Sequence, residues 1–414
     1  MVRATIVSAA DQALLSALNF GLAAMLIHFA SKPEYGLYAQ LINLQSFFSP
    51  LHAGIFASAY LALASKMSEA RQLRYRTAMA RAELAMTSLS MLLVVAISMI
   101  GAAVFWPELT PNIIFAFGVA LLGLWWRDFV RQMKFATFRY DQAFHVDIVY
   151  VLVTAGAAGC FLAMSRISTS AILWCMAVGG VVAVARPQFL AVRGVSLERS
   201  AIRHDVLMSW TVGRWDVLGS VVTWAYAQSY VYFAALHGGL DAAAEVSAGR
   251  LLATPLALMW ASYANVLRPH VSRLMDGDSN AKIRSLALRS ALFVVASSLL
   301  YAVLLFAVIP ALDRAVFGGK FERLRSLTVC WIVYLMLTGL STVASSVLRS
   351  ALEFRQVFHR QILSCVAAVI LLAVALRFQP IESLVIALVI VEAISAALFW
   401  QRLNAAVSPR PQSA

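Results

Sequence analysis

Charge is scarce in this chain, and acidic charge is scarcest. Asp, Glu, Lys and Arg make up 13% of the 414 residues, with 20 acidic side chains against 33 basic ones. Soluble domains carry about a quarter charged residues, so this composition excludes a molecule that faces water on every side. Cysteine is nearly missing as well. The four thiols, Cys160, Cys175, Cys330 and Cys365, all fall in apolar stretches, which excludes a disulfide framework and a thiolate metal site. The seven histidines are scattered, with no pair at metal-ligand spacing. No metal, cofactor or catalytic residue is therefore expected. No polar stretch is long enough for an extramembrane domain.

What the chain has instead is apolar length. Residues of hydrophobic type account for 61% of it, and apolar stretches recur from Ser8 to Phe399. Each is close to the roughly 20 residues a helix needs to cross a hydrocarbon core. Open sheets leave backbone groups unpaired in lipid, so the stretches read as helices. Twelve spans follow, at 8–30, 35–64, 84–105, 111–130, 144–164, 168–185, 217–236, 242–267, 286–309, 327–348, 358–376 and 381–399. Asp11, Gln12 and Asn19 interrupt the first, which therefore reads as a retained helix and not as a signal peptide. The fold class expected is an all-α polytopic membrane protein of two six-helix bundles around a central cavity.

The basic residues set the orientation. Of the 33 Lys and Arg, 25 fall on one side of the alternating loops, including Lys66, Arg76, Arg131, Arg203, Arg284 and Arg402. By the positive-inside rule both termini are cytoplasmic. The loop at 310–326 is the one outer loop that departs from the pattern, with Arg314, Lys320, Arg323 and Arg325. The net charge of +13 is thus assigned to cytoplasmic loops, with no nucleic-acid partner. The longest break, 186–216, divides the chain near its middle and suggests an N-terminal bundle with its linker at 1–205, a C-terminal bundle at 206–403 and a disordered cytoplasmic tail at 404–414. Each half has a long second span with an internal proline, Pro50 and Pro255, and a basic exit, Ser65-Lys66-Met67 and Ser272-Arg273-Leu274. Internal duplication is a common transporter architecture.

Polar side chains at membrane depth are costly and face a cavity or the bundle interior. Gln12, Ser16 and Asn19 lie on one face of the first span, beside Asp11. Gln45, Ser49 and His52 repeat the spacing in the second, and Asp216, Ser220, Thr223, Tyr226 and Tyr230 mark the seventh. Such stripes either line a passage or join helices. Arg250, near the outer end of the eighth span, reads either as a snorkelling interface residue or as a phosphate ligand, for which its planar fork is suited. Glu392, in the middle of the twelfth span, is a candidate coupling charge or an ion-pair partner, and Asp11 is a second, shallower candidate.

The opening Asp11-Gln12-Ala13-Leu14-Leu15-Ser16-Ala17-Leu18-Asn19-Phe20, followed by Pro33-Glu34-Tyr35-Gly36-Leu37-Tyr38, resembles the start of bacterial polysaccharide flippases. These belong to the multidrug/oligosaccharidyl-lipid/polysaccharide exporter superfamily. Arg250-Leu251-Leu252, and Leu267-Arg268-Pro269 before Ser272, are similar to that family's eighth helix and its exit. The resemblance implies a V-shaped pair of bundles whose cavity is lined by the first, second, seventh and eighth helices. It implies a polyprenyl-diphosphate-linked oligosaccharide as cargo, carried by alternating access across the bacterial inner membrane, with a polysaccharide polymerase and chain-length proteins as partners. A guess from chemistry then sets Tyr226 and Tyr230 against sugar rings and Arg250 against the diphosphate. An ion-coupled small-molecule antiporter of the same superfamily is the alternative. A membrane glycosyltransferase or polymerase fits less well, because the outer loops are short and hold no recognisable site.

Overall fold

The computed structural model describes residues 2–58, 60, 67–104, 106–136, 139–185, 198–275, 280–351 and 353–407. Residues 65–66 of the basic exit, 186–197 of the expected linker and the tail from 408 onward lie outside them. Among the described residues there are twelve α-helices and no strand. They are α1 (Val2–Phe29), α2 (Lys32–His52), α3 (Glu69–Val104), α4 (Pro111–Ala136), α5 (Tyr140–Ala163), α6 (Thr169–Val184), α7 (Arg199–Ala227), α8 (Tyr230–Met275), α9 (Asn280–Leu312), α10 (Leu324–Ser350), α11 (Phe354–Ala375) and α12 (Glu382–Val407). Eight of these, α1, α3, α4, α5, α9, α10, α11 and α12, are long and apolar enough to cross a bilayer. The chain is thus an all-α polytopic membrane protein. α6 is apolar but shorter; α2 carries the polar stripe of the second span, and α7 with the start of α8 that of the seventh.

Several helices overrun their apolar spans. α3 starts at Glu69, well before its span at 84, and α7 starts at Arg199, ahead of 217. Arg, Glu and Leu are good helix formers, so a helix leaving the membrane has no reason to stop at the hydrocarbon edge. The expected seventh and eighth spans meet near the glycines that separate them. Gly238 (φ −151°, ψ 31°) and Gly239 (φ 70°, ψ −163°) break α8 there, the second in a region only glycine enters readily. A separate break at Gln228–Ser229 divides α7 from α8 inside the seventh span.

Local chemistry accounts for the start of α2. Ser31 is its N-cap: the Ser31 hydroxyl accepts from the Glu34 amide, and the Ser31 amide donates to Glu34 Oε2 at 3.2 Å. Pro33 stands in the first turn, where its missing N–H costs nothing. The Thr169 hydroxyl then donates to the Glu34 carbonyl at 2.7 Å, pinning the start of α6 to the start of α2. Prolines also shape two helix ends. Pro50 is followed three residues later by the π-helical segment Ala53–Ser58, and Pro310 by the π-helical segment Asp313–Phe317. A proline withdraws one N–H from the i−4 ladder, which lets the next turn relax to a wider register.

The chain resolves into two compact units, Met1–Val221 and Val222–Ala414, and their boundary falls inside α7. In the first unit Tyr75, Trp125 and Tyr150 are fully buried, and α4 and α6 meet at Gly123 and Gly180. In the second, Trp331 and Phe317 have no exposed surface. Leu89 of α3, and Leu292 and Val303 of α9, point outward, 68%, 70% and 68% exposed, where only hydrocarbon would solvate them.

Candidate functional site

The first unit holds a buried charge cluster built by α1, α4 and α5. Arg127 and Arg131 stand one turn apart on α4, and Asp147 and Tyr150 on neighbouring turns of α5. Asp11 of α1 is fully buried and accepts from Arg131 Nε at 3.1 Å and Nη2 at 2.7 Å. Arg131 Nε also lies 2.8 Å from Asp147 Oδ2, and Arg127 Nε lies 3.6 Å from Asp147 Oδ1. Arg127 donates to Asp128 at 2.8 Å and sits 4.0 Å over the Tyr150 ring. Three carboxylates thus face two guanidiniums. Asp11 Oδ1 is buried without a hydrogen bond. A cluster short of one positive charge, in a low-dielectric setting, is a place where a small cation gains most. Asp11 is therefore shielded from water, and Arg127 and Arg131 lie within the helix α4 and not in a loop.

Beside it lies a second polar group. His52, the last residue of α2, has Nδ1 2.8 Å from Glu83 Oε1 on α3 and Nε2 3.2 Å from the Ser90 hydroxyl. Thr87 also donates to Glu83 Oε1, at 3.2 Å. The Trp125 ring stacks on His52 at 4.9 Å. A small cavity of about 10 Å³ is lined by Ser49, His52, Glu83, Trp125, Asp128 and Gln132 among others.

In the second unit Arg250 is half-buried and grips the break before α8. Its Nη1 donates to the Ala227 carbonyl at 3.0 Å and to Gln228 Oε1 at 2.6 Å. Its guanidinium lies 4.8 Å over the Tyr230 ring and 5.1 Å over the Trp331 ring. Trp331 is held in turn by donation to the Val246 carbonyl at 3.0 Å. Among the described residues, Arg250 Nε and Nη2 make no hydrogen bond. Glu392, on α12, is 2% exposed and makes no ion pair with a described residue.

The remaining expected residues lie on α1, α2, α7 and α8. Gln12 and Asn19 are exposed and Ser16 is half-buried. Gln45 is half-buried and donates to the Ser49 hydroxyl at 3.1 Å. Tyr226 is half-buried with its hydroxyl unpaired, whereas Tyr230 is 3% exposed beneath Arg250. The side chain of Asp216 lies outside the described ones. The sequence reading missed Glu83, Arg127, Arg131 and Asp147. The one available signal was the four-residue spacing of Arg127 and Arg131, which sets two cations on one helix face.

Neither a family profile nor a curated protein matches the chain. Solved structures do. An inward-facing multidrug resistance MATE family transporter of the MOP superfamily superposes with a TM-score of 0.75 at 13% identity, covering 96% of both chains. The lipid II flippase MurJ, in an inward closed conformation, gives 0.72 at 12% identity over 99% of this chain and 88% of that one. A MOP superfamily transporter from Pyrococcus furiosus gives 0.61 at 12% identity over 97% and 92%. At such identities the likeness is one of fold, and the fold is that of MOP superfamily transporters.

Proposed function

We propose that this chain is a transporter that moves a polyprenyl-diphosphate-linked oligosaccharide across the bacterial inner membrane by alternating access, supplying surface polysaccharide synthesis. The observation that carries the reading is the open Nε–Nη2 edge of Arg250. Nη1 of the guanidinium is anchored to Ala227 and Gln228, and the Nε–Nη2 edge, over an aromatic platform, has no hydrogen-bond partner among the described residues. That edge matches the bidentate geometry of a phosphate oxygen pair. The fold likeness to a protein named as a lipid II flippase and the resemblance of the α1 and α2 entry to polysaccharide flippases support the same class. In this reading Gln12, Ser16, Asn19, Gln45 and Tyr226 contact the glycan, Tyr230 seats the guanidinium, and Glu392 and Asp11 couple transport to an ion gradient. A polymerase and chain-length proteins are the partners downstream.

Deleting the gene tests the proposal. The expected result is loss of a surface polysaccharide, with complete lipid-linked units accumulating in the cytoplasmic leaflet. Complete units found unpolymerised in the periplasmic leaflet would point to a polymerase or ligase in its place. A second reading, a small-molecule antiporter, is favoured by the match to a multidrug resistance transporter and by the charge cluster at Asp11. It predicts unchanged polysaccharide and altered drug tolerance in the same strain.

A further inference from the structure

Arginines elsewhere in the fold meet carboxylates: Arg71 pairs with Asp205, Arg131 with Asp11 and Arg402 with Glu353. Arg250 is held differently. Among the described residues its anchors are all uncharged: the Ala227 carbonyl at 3.0 Å, the Gln228 amide oxygen at 2.6 Å, and the ring faces of Tyr230 and Trp331. A half-buried guanidinium without a counter-ion is costly at membrane depth, and a glutamate in place of Gln228 would neutralise it. Gln228 withholds that relief. Its amide oxygen accepts from the guanidinium as a carboxylate oxygen would, but it carries no charge.

We propose that Gln228 is a positioning residue, which aims Arg250 at an anionic headgroup and leaves the whole of its charge to that ligand; this rests on the reading of Arg250 as a phosphate ligand. The joint between α7 and α8 makes the aim possible. Ala227 is the last residue of α7. The final carbonyls of a helix lack the amides a continuing turn would supply, and they form the negative end of its dipole. Arg250 Nη1 donates to that carbonyl and to the Gln228 side chain on the next residue, so a single nitrogen makes both contacts. Gln228 thus fixes a direction that a lone carbonyl would leave free to swivel.

The surroundings of the guanidinium are themselves fixed. The Trp331 indole donates to the Val246 carbonyl at 3.0 Å, and its ring meets Tyr230 edge-on at 4.8 Å and Tyr334 at 5.4 Å. Beside Arg250, a Cβ on Gly249 would lie 2.9 Å from the Leu327 Cβ, so α8 and α10 are in close contact where the arginine stem begins. The rings attract the cation through their quadrupoles and cancel none of its charge. A fork held in this way before the ligand arrives loses little freedom on gripping two phosphate oxygens.

Binding of farnesyl diphosphate and of uncharged farnesol to the full chain in nanodiscs tests the role, with thermal unfolding of each variant alongside. The wild type should hold the diphosphate at least about tenfold tighter than the alcohol. Gln228→Glu keeps the acceptor and adds the charge. It should cut diphosphate affinity at least about tenfold, leave farnesol binding unchanged and not lower the unfolding midpoint. Gln228→Leu removes the acceptor and should weaken the diphosphate about threefold or more. In an Arg250→Lys background Gln228→Leu should cost nothing further, because its effect runs through the guanidinium. A wild type that holds both probes equally overturns the phosphate reading and this role with it. A diphosphate preference lost in Arg250→Lys but kept in both Gln228 variants leaves the phosphate reading standing and overturns the role of Gln228. Affinity that falls only in step with the unfolding midpoint makes Gln228 a structural residue and overturns it as well.

Discussion

Arg250, half-buried, and Glu392, buried, are opposite kinds of charge. Arg250 is anchored on one edge, by Ala227 and Gln228, and its charge is spread over two aromatic faces. Lysine would keep the charge and lose both the fork and the anchor. Arg250→Lys is therefore expected to lower transport tenfold or more, an energy of about 1.4 kcal/mol, at matched membrane abundance. Glu392 has no such support. Replacing it with glutamine at nearly constant volume removes a mid-membrane charge whose cost is about 2.5–3.5 kcal/mol, so the helix should insert at least as well. Export should stop responding to a proton or sodium gradient. Near-normal, gradient-sensitive flux in both variants, read in vesicles, would leave the pair a structural role only. The burial of Glu392 was legible because a lone acid in an apolar run lies within a spanning helix. Asp11, Arg131 and Asp147 were not legible as a group, because Asp11 meets its partner across 120 residues and nothing in either segment names the other.

At the scale of the helix, hydropathy marks the middle of each element and misses its ends. The bilayer demands apolar side chains only within its own thickness, so the basic starts of α3 and α7 read as loops although their backbones are helical. Pro50 was legible as a point of irregularity, and Pro310 was not singled out. The non-helical φ/ψ angles within α8 are at Gly238 and Gly239, and the π-helical turns follow Pro50 and Pro310. Close helix contacts were invisible too, since glycine signals permission and not a partner. A Cβ at Gly180 would stand 2.9 Å from the backbone carbon of Gly123, whereas one at Gly156 would meet nothing within 4 Å. Gly180→Ala should therefore destabilise the first unit by about 1–3 kcal/mol, the cost of overpacking. Gly156→Ala should be neutral or slightly stabilising, as alanine replaces glycine in an open helix position. Thermal unfolding in detergent separates them. Equal midpoints would mean that α4 and α6 move apart freely.

For the whole molecule the sequence speaks most clearly. Twelve helices, the all-α class and the membrane setting follow from apolar length and from the shortage of acid, and the fold agrees with each. Sidedness rests on the placement of 25 of 33 basic residues, with both ends of the chain on the basic side. Alkaline phosphatase fused at Ala414 is expected to show no periplasmic activity, and strong activity would require an odd number of crossings. The passage of a cargo is less legible. It depends on which polar faces come to look at one another, and side chains such as Gln12 and Asn19 carry no label for what they face.

The course of α7 has a consequence for how such a protein can be assembled from parts. Its first turns pack with the first unit, through Arg71 to Asp205 and through Tyr75 to Ser209, and its last residues belong to the second. Compactness and separability are therefore different properties here. A gene split at the contact boundary, after Val221, would sever a hydrogen-bonded ladder and leave two raw helix ends. A split ahead of Arg199 would leave every helix whole, at the cost of handing part of the first unit to the second polypeptide. Such a split would also part Asp205 and Ser209 from Arg71 and Tyr75, the pairs that seat the first turns of α7.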